Sequence, residues 1–226
     1  MTSAFALPRT RGSDREWMRN RARLDLNGVY AVSLAAPAGT GKARLVAQVA
    51  ERLAGRLRLV VASRHPEHSA SPLVPTLRIE GPSSCPVAAE DLARTLSGVR
   101  LTGFDVLLVD DVGDAAGRTL GVHAHVSLTT VHEVVDAGVR AAERYRGLDA
   151  LVVHKTDRGR AVGFDETSFR WSLAAVNPNL LVFFTSCVDG SGIDAWGEWM
   201  VRRRNAYTGF AGGRHRGRVA PHLPAA

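Results

Sequence analysis

The sequence predicts an α/β fold, a doubly wound, largely parallel sheet, and three observations predict it. Short β-branched runs alternate with helical patterns through the interior of the chain. Most of those runs are continuously apolar, as strands buried on both faces must be. A glycine-rich segment, Ala36 to Ala43, separates the first run from the helical pattern that follows it. Sheets of this class place ligands at such carboxyl ends of their strands.

The elements are expected in this order. Val29–Leu34 reads as the first strand, and Arg44–Ala54, with apolar residues at helical spacing, as the helix after the glycine-rich turn. Strand Leu57–Ala62 and helix Ala88–Leu96 come next, then strand Phe104–Val109 and strand Val122–Leu128. Helix Val131–Tyr145, strand Leu148–Val153, helix Asp165–Ala175, strand Leu180–Thr185 and helix Ile193–Arg203 complete the alternation. Trp196 and Trp199 mark the buried stripe of the last helix, and Trp17 is expected to do the same in an N-terminal helix.

With 226 residues the chain can bury one substantial core. One domain with tails follows: a basic segment over 1–23, a central domain over 24–204, and a basic Gly/Pro-rich tail over 205–226 expected to be disordered. No apolar stretch approaches the roughly 20 residues of a membrane span, and residues 1–23 lack the apolar core of a signal peptide. A soluble, cytoplasmic protein with no membrane partner is expected. Two cysteines, Cys85 and Cys187, are too few and too scattered for a disulfide framework. The net charge of +7 collects at the two ends without interleaved aromatics, so solvated tails are favoured over a nucleic-acid site.

Of the 29 basic residues only Lys42 and Lys155 are lysine. A compact ammonium fits a phosphate-binding loop where a planar guanidinium would not, so these two positions direct attention to a nucleotide site. Ala36-Pro37-Ala38-Gly39-Thr40-Gly41-Lys42-Ala43 follows a strand and opens a helix, as the pattern G-x-x-x-x-G-K-S/T requires. Gly41 and Lys42 match it; Ala36 stands for the first glycine and Ala43 for the hydroxyl that normally meets Mg²⁺. Backbone N–H groups around Gly39, Thr40 and Gly41 can still cradle a phosphate.

Three further segments fall at strand ends. Asp110-Asp111-Val112-Gly113 fits D-x-x-G, in which Asp110 or Asp111 would hold Mg²⁺ and the Gly113 N–H would reach a γ-phosphate. His154-Lys155-Thr156-Asp157 resembles N-K-x-D, in which Asp157 would accept from guanine N1 and N2 while the Lys155 stem covers the ring. His154 stands where the pattern has an asparagine that stitches this loop to the phosphate loop. Thr185-Ser186-Cys187 lies where guanine-binding proteins carry a Ser-Ala-type loop. Together they predict a P-loop NTPase binding GTP and Mg²⁺.

Residues 20–43, from Asn20 to Ala43, resemble the segment leading into the phosphate loop of HypB, the nickel-inserting GTPase of nickel-iron hydrogenase maturation and a relative of the urease protein UreG. Ile79-Glu80-Gly81 with Cys85 resembles that family's T-G-x-x-C-H-L stretch, and Val109–Gly113 its E-N-V-G. Ser186–Gly192, followed by Ile193, Trp196 and Trp199, resembles its S-A-x-T-G-E-G…W…W ending. The similarity covers roughly residues 20–204 and implies a SIMIBI-type G domain with guanine nucleotide and hydrogenase maturation proteins as partners. It also implies a nucleotide-driven homodimer or paralogue dimer, and a slow GTPase with Lys42 and Asp110 in the catalytic roles.

The departures fall on metal chemistry. Where that family binds metal through a Cys-His pair and a later cysteine, this chain keeps Cys85 as a nickel or zinc remnant, with Pro86 at the histidine position and Gly117 near the later cysteine. The aspartates expected after the second strand are absent from Ala62–His68. A single thiolate does not make a nickel or zinc site. His65, His68, His123, His125 and His132 read as surface or sheet-face histidines rather than replacement ligands, Cys85 as a small buried thiol and Cys187 as filler in the guanine loop. Two rival readings remain: a non-catalytic nucleotide-dependent interaction module, or a basic nucleic-acid-binding protein with a vestigial loop.

Overall fold

The structure, a computed structural model, describes residues 11–66, 74–81, 85–110, 120–137 and 144–215. Seven strands form one sheet: β1 Tyr30–Ala35, β2 Leu59–Ser63, β3 Thr76–Arg78, β4 Val106–Val109, β5 Ala124–Thr130, β6 Ala150–His154 and β7 Leu181–Thr185. Their order is β3-β2-β4-β1-β5-β6-β7, and each neighbouring pair is parallel. The expected α/β, doubly wound parallel sheet is what the chain forms. Because the order reverses on either side of β1, the crevice beyond its carboxyl end is the topological switch point.

Helices cover both faces: α1 Arg11–Asn27, α2 Lys42–Arg52, α3 Ala89–Ser97, α4 Val131–Ala137, α5 Glu166–Val176 and α6 Ile193–His215. Side-chain alternation along the strands sorts the layers. Val32, Leu34, Leu108, Val126 and Val152 point toward α2 and α6, where Leu45, Val49, Ile193, Trp196 and Met200 are buried with them. On the other face Ala31, Leu107 and Val109 pack with α1 and α3 through Leu24, Leu92 and Leu96. Leu151 and Val153 pack with α4 and α5 through Val131, Val134, Phe169 and Leu173.

Two elements escape the sequence patterns. β3 has three residues at the sheet edge, too short for a periodic signal. α1 is strongly polar, and its attachment is by hydrogen bonds as much as by apolar burial: the buried Asn20 donates to Ala89 O at 2.9 Å and Leu120 O at 3.0 Å. The boundary drawn at residue 23 falls inside this helix, and the one at 204 falls inside α6, which runs on to His215. Helix α4 ends at Ala137, short of the expected Tyr145, with 138–143 outside the described residues. Trp196 and Trp199 are buried as expected, whereas Trp17 is exposed.

Candidate functional site

The loop from Ala36 to Gly41 crosses from the end of β1 to the first turn of α2. Gly41 caps that helix in the left-handed region, φ 91°, where a side chain is strained. A Cβ there would also approach His154 Cδ2 to 3.2 Å. Thr40 is buried and closes the loop through Oγ1, which donates to Pro37 O at 3.0 Å. No side chain caps the helix, so its first N–H groups are left for a ligand or water beside the loop. Above it lies an open groove of ≈ 620 Å³ lined by residues 36–44 and His65.

The lysines converge as the sequence implied. Lys42 Nζ pairs with Asp110 Oδ1 at the end of β4. Asp110 is itself buried; its backbone N–H donates to Ala62 O at 2.8 Å, and Ser63 Oγ lies 3.5 Å from Oδ2. Lys155 sits at φ 60° after β6 and donates through Nζ to Gly39 O at 2.7 Å. It thereby links the base-loop segment to the phosphate-loop segment, the stitch assigned to an asparagine at position 154 in the N-K-x-D pattern. His154 is buried instead, sharing a 2.9 Å hydrogen bond with Thr185 Oγ1. Burial pushes its pKa down, an effect that Thr185 opposes and the Lys155 charge reinforces.

Asp157, exposed, follows in a tight 3-10 turn. Ser186 Oγ after β7 donates to Asp157 Oδ1 at 2.8 Å and accepts from Val188 N at 3.1 Å, so the two loops share one network. Cys187 is buried as expected, and burial raises its thiol pKa. Its carbonyl accepts from Arg44 Nη2 at 3.1 Å and Gln48 Nε2 at 3.2 Å. Gly39, Thr40, Gly41, Lys42, Ala43, Asp110, Lys155, Asp157, Ser186 and Cys187 therefore cluster at the carboxyl ends of β1, β4, β6 and β7. Asp111, Gly113 and Gly117 lie outside the described residues.

The donors around Lys42 fit a polyanion better than a magnesium ion. Beside Ala43 the wall is apolar, built from Leu34, Val46, Ala47, Val61, Val74 and Leu108, and the carboxylate facing it, Asp110, is paired with Lys42. Mg²⁺ takes near-octahedral oxygen ligands and keeps several waters, so this wall offers it little.

Comparison with known proteins gives the family context. No family model matches the chain. The hydrogenase maturation factor HypB of Azotobacter chroococcum mcd 1 is 26% identical over 206 residues, covering 86% of this chain and 67% of that protein. The crystal structure of hydrogenase maturation factor HypB from Archaeoglobus fulgidus superposes with a TM-score of 0.75 at 21% identity, covering 86% of this chain and 100% of that one. HypB from Helicobacter pylori, solved in complex with nickel, superposes at 0.76 with 17% identity, covering 86% and 96%.

The chain is HypB-like. It spans about two thirds of the length of the curated relatives it matches first. Against that background the segment carrying the family's cysteine signal is unusual. Cys85 is exposed rather than buried, a correction to the sequence reading that follows from its place in the segment between Gly81 and α3. Arg64, just after β2, fills the interior of that segment with its side chain 2% exposed. Its Nη2 meets Asp91 Oδ2 at 2.6 Å and Pro86 O at 3.4 Å, and its Nη1 meets Glu80 O at 3.5 Å. Gly81 gives way to it: a Cβ at this φ +141° position would lie 2.0 Å from Arg64 Nη1.

Among the described histidines, His123 and His125 are bonded within the sheet. His123 accepts from Ala31 N at 2.9 Å, lies 3.0 Å from Asp25 Oδ1 and stacks on Tyr30; His125 meets Ser33 Oγ at 2.9 Å. His65 lines the groove, and His68 lies outside the described residues. Among the described residues no group of three or more His, Cys, Asp or Glu is placed to hold a metal ion, and no helix is long and apolar enough to cross a membrane. The sequence reading missed Arg44 and Arg64, for a chain with so many arginines gives neither any local signal.

Proposed function

We propose that this HypB-like chain binds GTP in the groove over residues 36–44 and serves as an accessory protein in the maturation of nickel enzymes, the role carried in the names of its hydrogenase maturation relatives. The observation that carries the reading is the Lys155 Nζ to Gly39 O bond, which joins the segment bearing Asp157 to the phosphate-loop segment. A nucleotide laid across that junction would meet Lys42 and the loop N–H groups at its phosphates and Asp157, Lys155, Ser186 and Cys187 at its base. Catalysis would be positional and electrostatic, with Lys42 stabilising phosphoryl charge and Asp110 beside it.

Hydrolysis is expected to be slow, because position 43 lacks its hydroxyl. The same feature favours a second reading, a non-catalytic module whose nucleotide governs pairing with a second copy or a paralogue. In either case nickel would be handled through a partner that carries the ion, since among the described residues no group of three or more His, Cys, Asp or Glu is placed to hold a metal.

Titration of the chain with fluorescent GTP and ATP analogues tests the assignment. GTP should bind at least about tenfold more tightly, and Asp157→Ala should erase that preference, since the carboxylate accepts from two guanine donors and opposes an acceptor at N1 of adenine. ATP binding as tight as GTP in the unaltered chain removes the guanine assignment. Phosphate release under single-turnover conditions then separates a slow GTPase from a silent one.

A further inference from the structure

We infer that Arg44 is a phosphate-contacting residue of this groove, and that its charge takes over the neutralising role of magnesium, so that the chain binds a guanine nucleoside diphosphate as a metal-free polyanion. The inference rests on the nucleotide reading above and specifies how that site meets its ligand.

Three observations converge. The wall beside Ala43 is lined by Leu34, Val46, Ala47, Val61, Val74 and Leu108, side chains that cannot ligate a hard cation or order its water shell. The carboxylate on that wall, Asp110, is paired with Lys42, so a magnesium ion would have to compete with an ammonium already in place. Arg44, two residues on from Lys42 in the first turn of α2, lines the groove and is exposed to it.

The guanidinium is also held rather than loose. Its Nη2 donates to Cys187 O at 3.1 Å, across 143 residues of sequence, and Gln48 shares that acceptor. A planar fork with five donors can keep one bond to a carbonyl and offer others, in pairs, to phosphate oxygens, where a lysine has a single nitrogen with three donors. Arg44 is thus positioned from the base side of the groove, with the uncapped N-terminus of α2 next to it. Neutralisation by a fixed guanidinium requires no ion to be captured, which suits a wall whose one carboxylate among the described residues, Asp110, is paired with Lys42.

The test is competitive displacement of a fluorescent GDP analogue from the full chain by GDP and by guanosine, with Mg²⁺ and with EDTA. Expected results are a wild-type GDP affinity that changes by less than about threefold on removing Mg²⁺, and an Arg44→Gln variant that loses about tenfold or more for GDP while guanosine stays within about threefold. Arg44→Lys should recover part of the loss. A wild-type affinity that falls about tenfold or more in EDTA would show that the metal is needed and overturn the inference. Equal losses for GDP and guanosine in Arg44→Gln would also overturn it, leaving Arg44 as a brace for Cys187. Absence of any GDP binding overturns the nucleotide reading itself, and this inference with it.

Discussion

Two regions near the carboxyl end of the sheet depart from the HypB pattern in opposite ways. The loops after β1, β6 and β7 depart from the motif patterns at single residues and are joined to one another through side chains: Lys155 reaches Gly39, Ser186 reaches Asp157, and Arg44 reaches Cys187. Near Cys85, after β3, no group of three or more His, Cys, Asp or Glu among the described residues is placed to hold a metal, and a buried guanidinium, Arg64, bonds Asp91 and the carbonyls of Glu80 and Pro86. The difference follows from what each ligand demands. A polyanion can be met by backbone N–H groups and any well-placed cation, so its site survives exchange of side chains. A transition metal needs several convergent donors, and a single thiolate does not supply them.

The largest expected effect strikes the second region. Arg64→Ala should lower the unfolding free energy by about 3 kcal/mol or more in urea denaturation, because Asp91 would be left with a half-emptied interior beside it. Nucleotide affinity measured on the folded variant should stay within about threefold of wild type. A matching loss of nucleotide binding would break the comparison by showing that the two regions act as one.

Lys42→Ala tests the first region, with an expected loss of GTP affinity of about a hundredfold, and Lys42→Arg should not restore it because the wider guanidinium cannot take the place of a point charge against Asp110. Full binding by the arginine variant would mean that the groove does not depend on a compact ammonium. Equilibrium dialysis with Ni²⁺ and Zn²⁺ sharpens the contrast: the isolated chain should show no binding tighter than about micromolar, with or without GTP. Tight stoichiometric binding that disappears in Cys85→Ser would restore a direct metal role to the second region.

The smallest effect is a titration. Burial lowers the pKa of both His123 and His154 from the ordinary 6.5, against opposing contributions from Asp25 and Thr185 respectively. The unfolded chain therefore binds protons that the folded chain refuses, and stability is full above 6.5 and declines as pH falls below it toward the depressed values. The thermal midpoint should drop between about pH 7.5 and pH 5.5, and His123→Asn, which keeps an acceptor for Ala31 N, should flatten part of that drop. Asp91 and Asp105, with depressed carboxyl pKa values, act in a separate window below 3.8. A midpoint that rises on acidification would contradict the burial of these rings.

Six of the seven strands were legible because most are apolar runs fed by turn residues, a pattern that a strand buried on both faces imposes on its own sequence, while β5 alternates and the edge strand β7 is apolar though partly exposed. The strand-end motifs could be proposed for a similar reason, since loop chemistry at such ends is written in consecutive residues. β3 was not, having only three residues at an edge; an N-terminal helix was expected around Trp17, but not the attachment of α1, whose anchoring Asn20 bonds carbonyls 69 and 100 residues away. Arg44 and Arg64 were hidden by their own abundance, as their roles depend on which carbonyl or carboxylate the fold sets opposite them.

By itself, then, the sequence determined what depends on neighbours along the chain: the strand and helix periods, the glycine-bearing turn before Lys42, the missing hydroxyl at position 43 and the missing ligands beside Cys85. Tertiary structure decided what depends on partners far apart: that Lys155 bonds the phosphate loop while His154 only packs against Gly41, that Asp110 takes Lys42, that Arg44 is tied to the base loop and that Arg64 is buried under Gly81. The physical reason is that a side chain's charge and size are local properties, whereas its burial and its partner are set only when the sheet brings distant strand ends together.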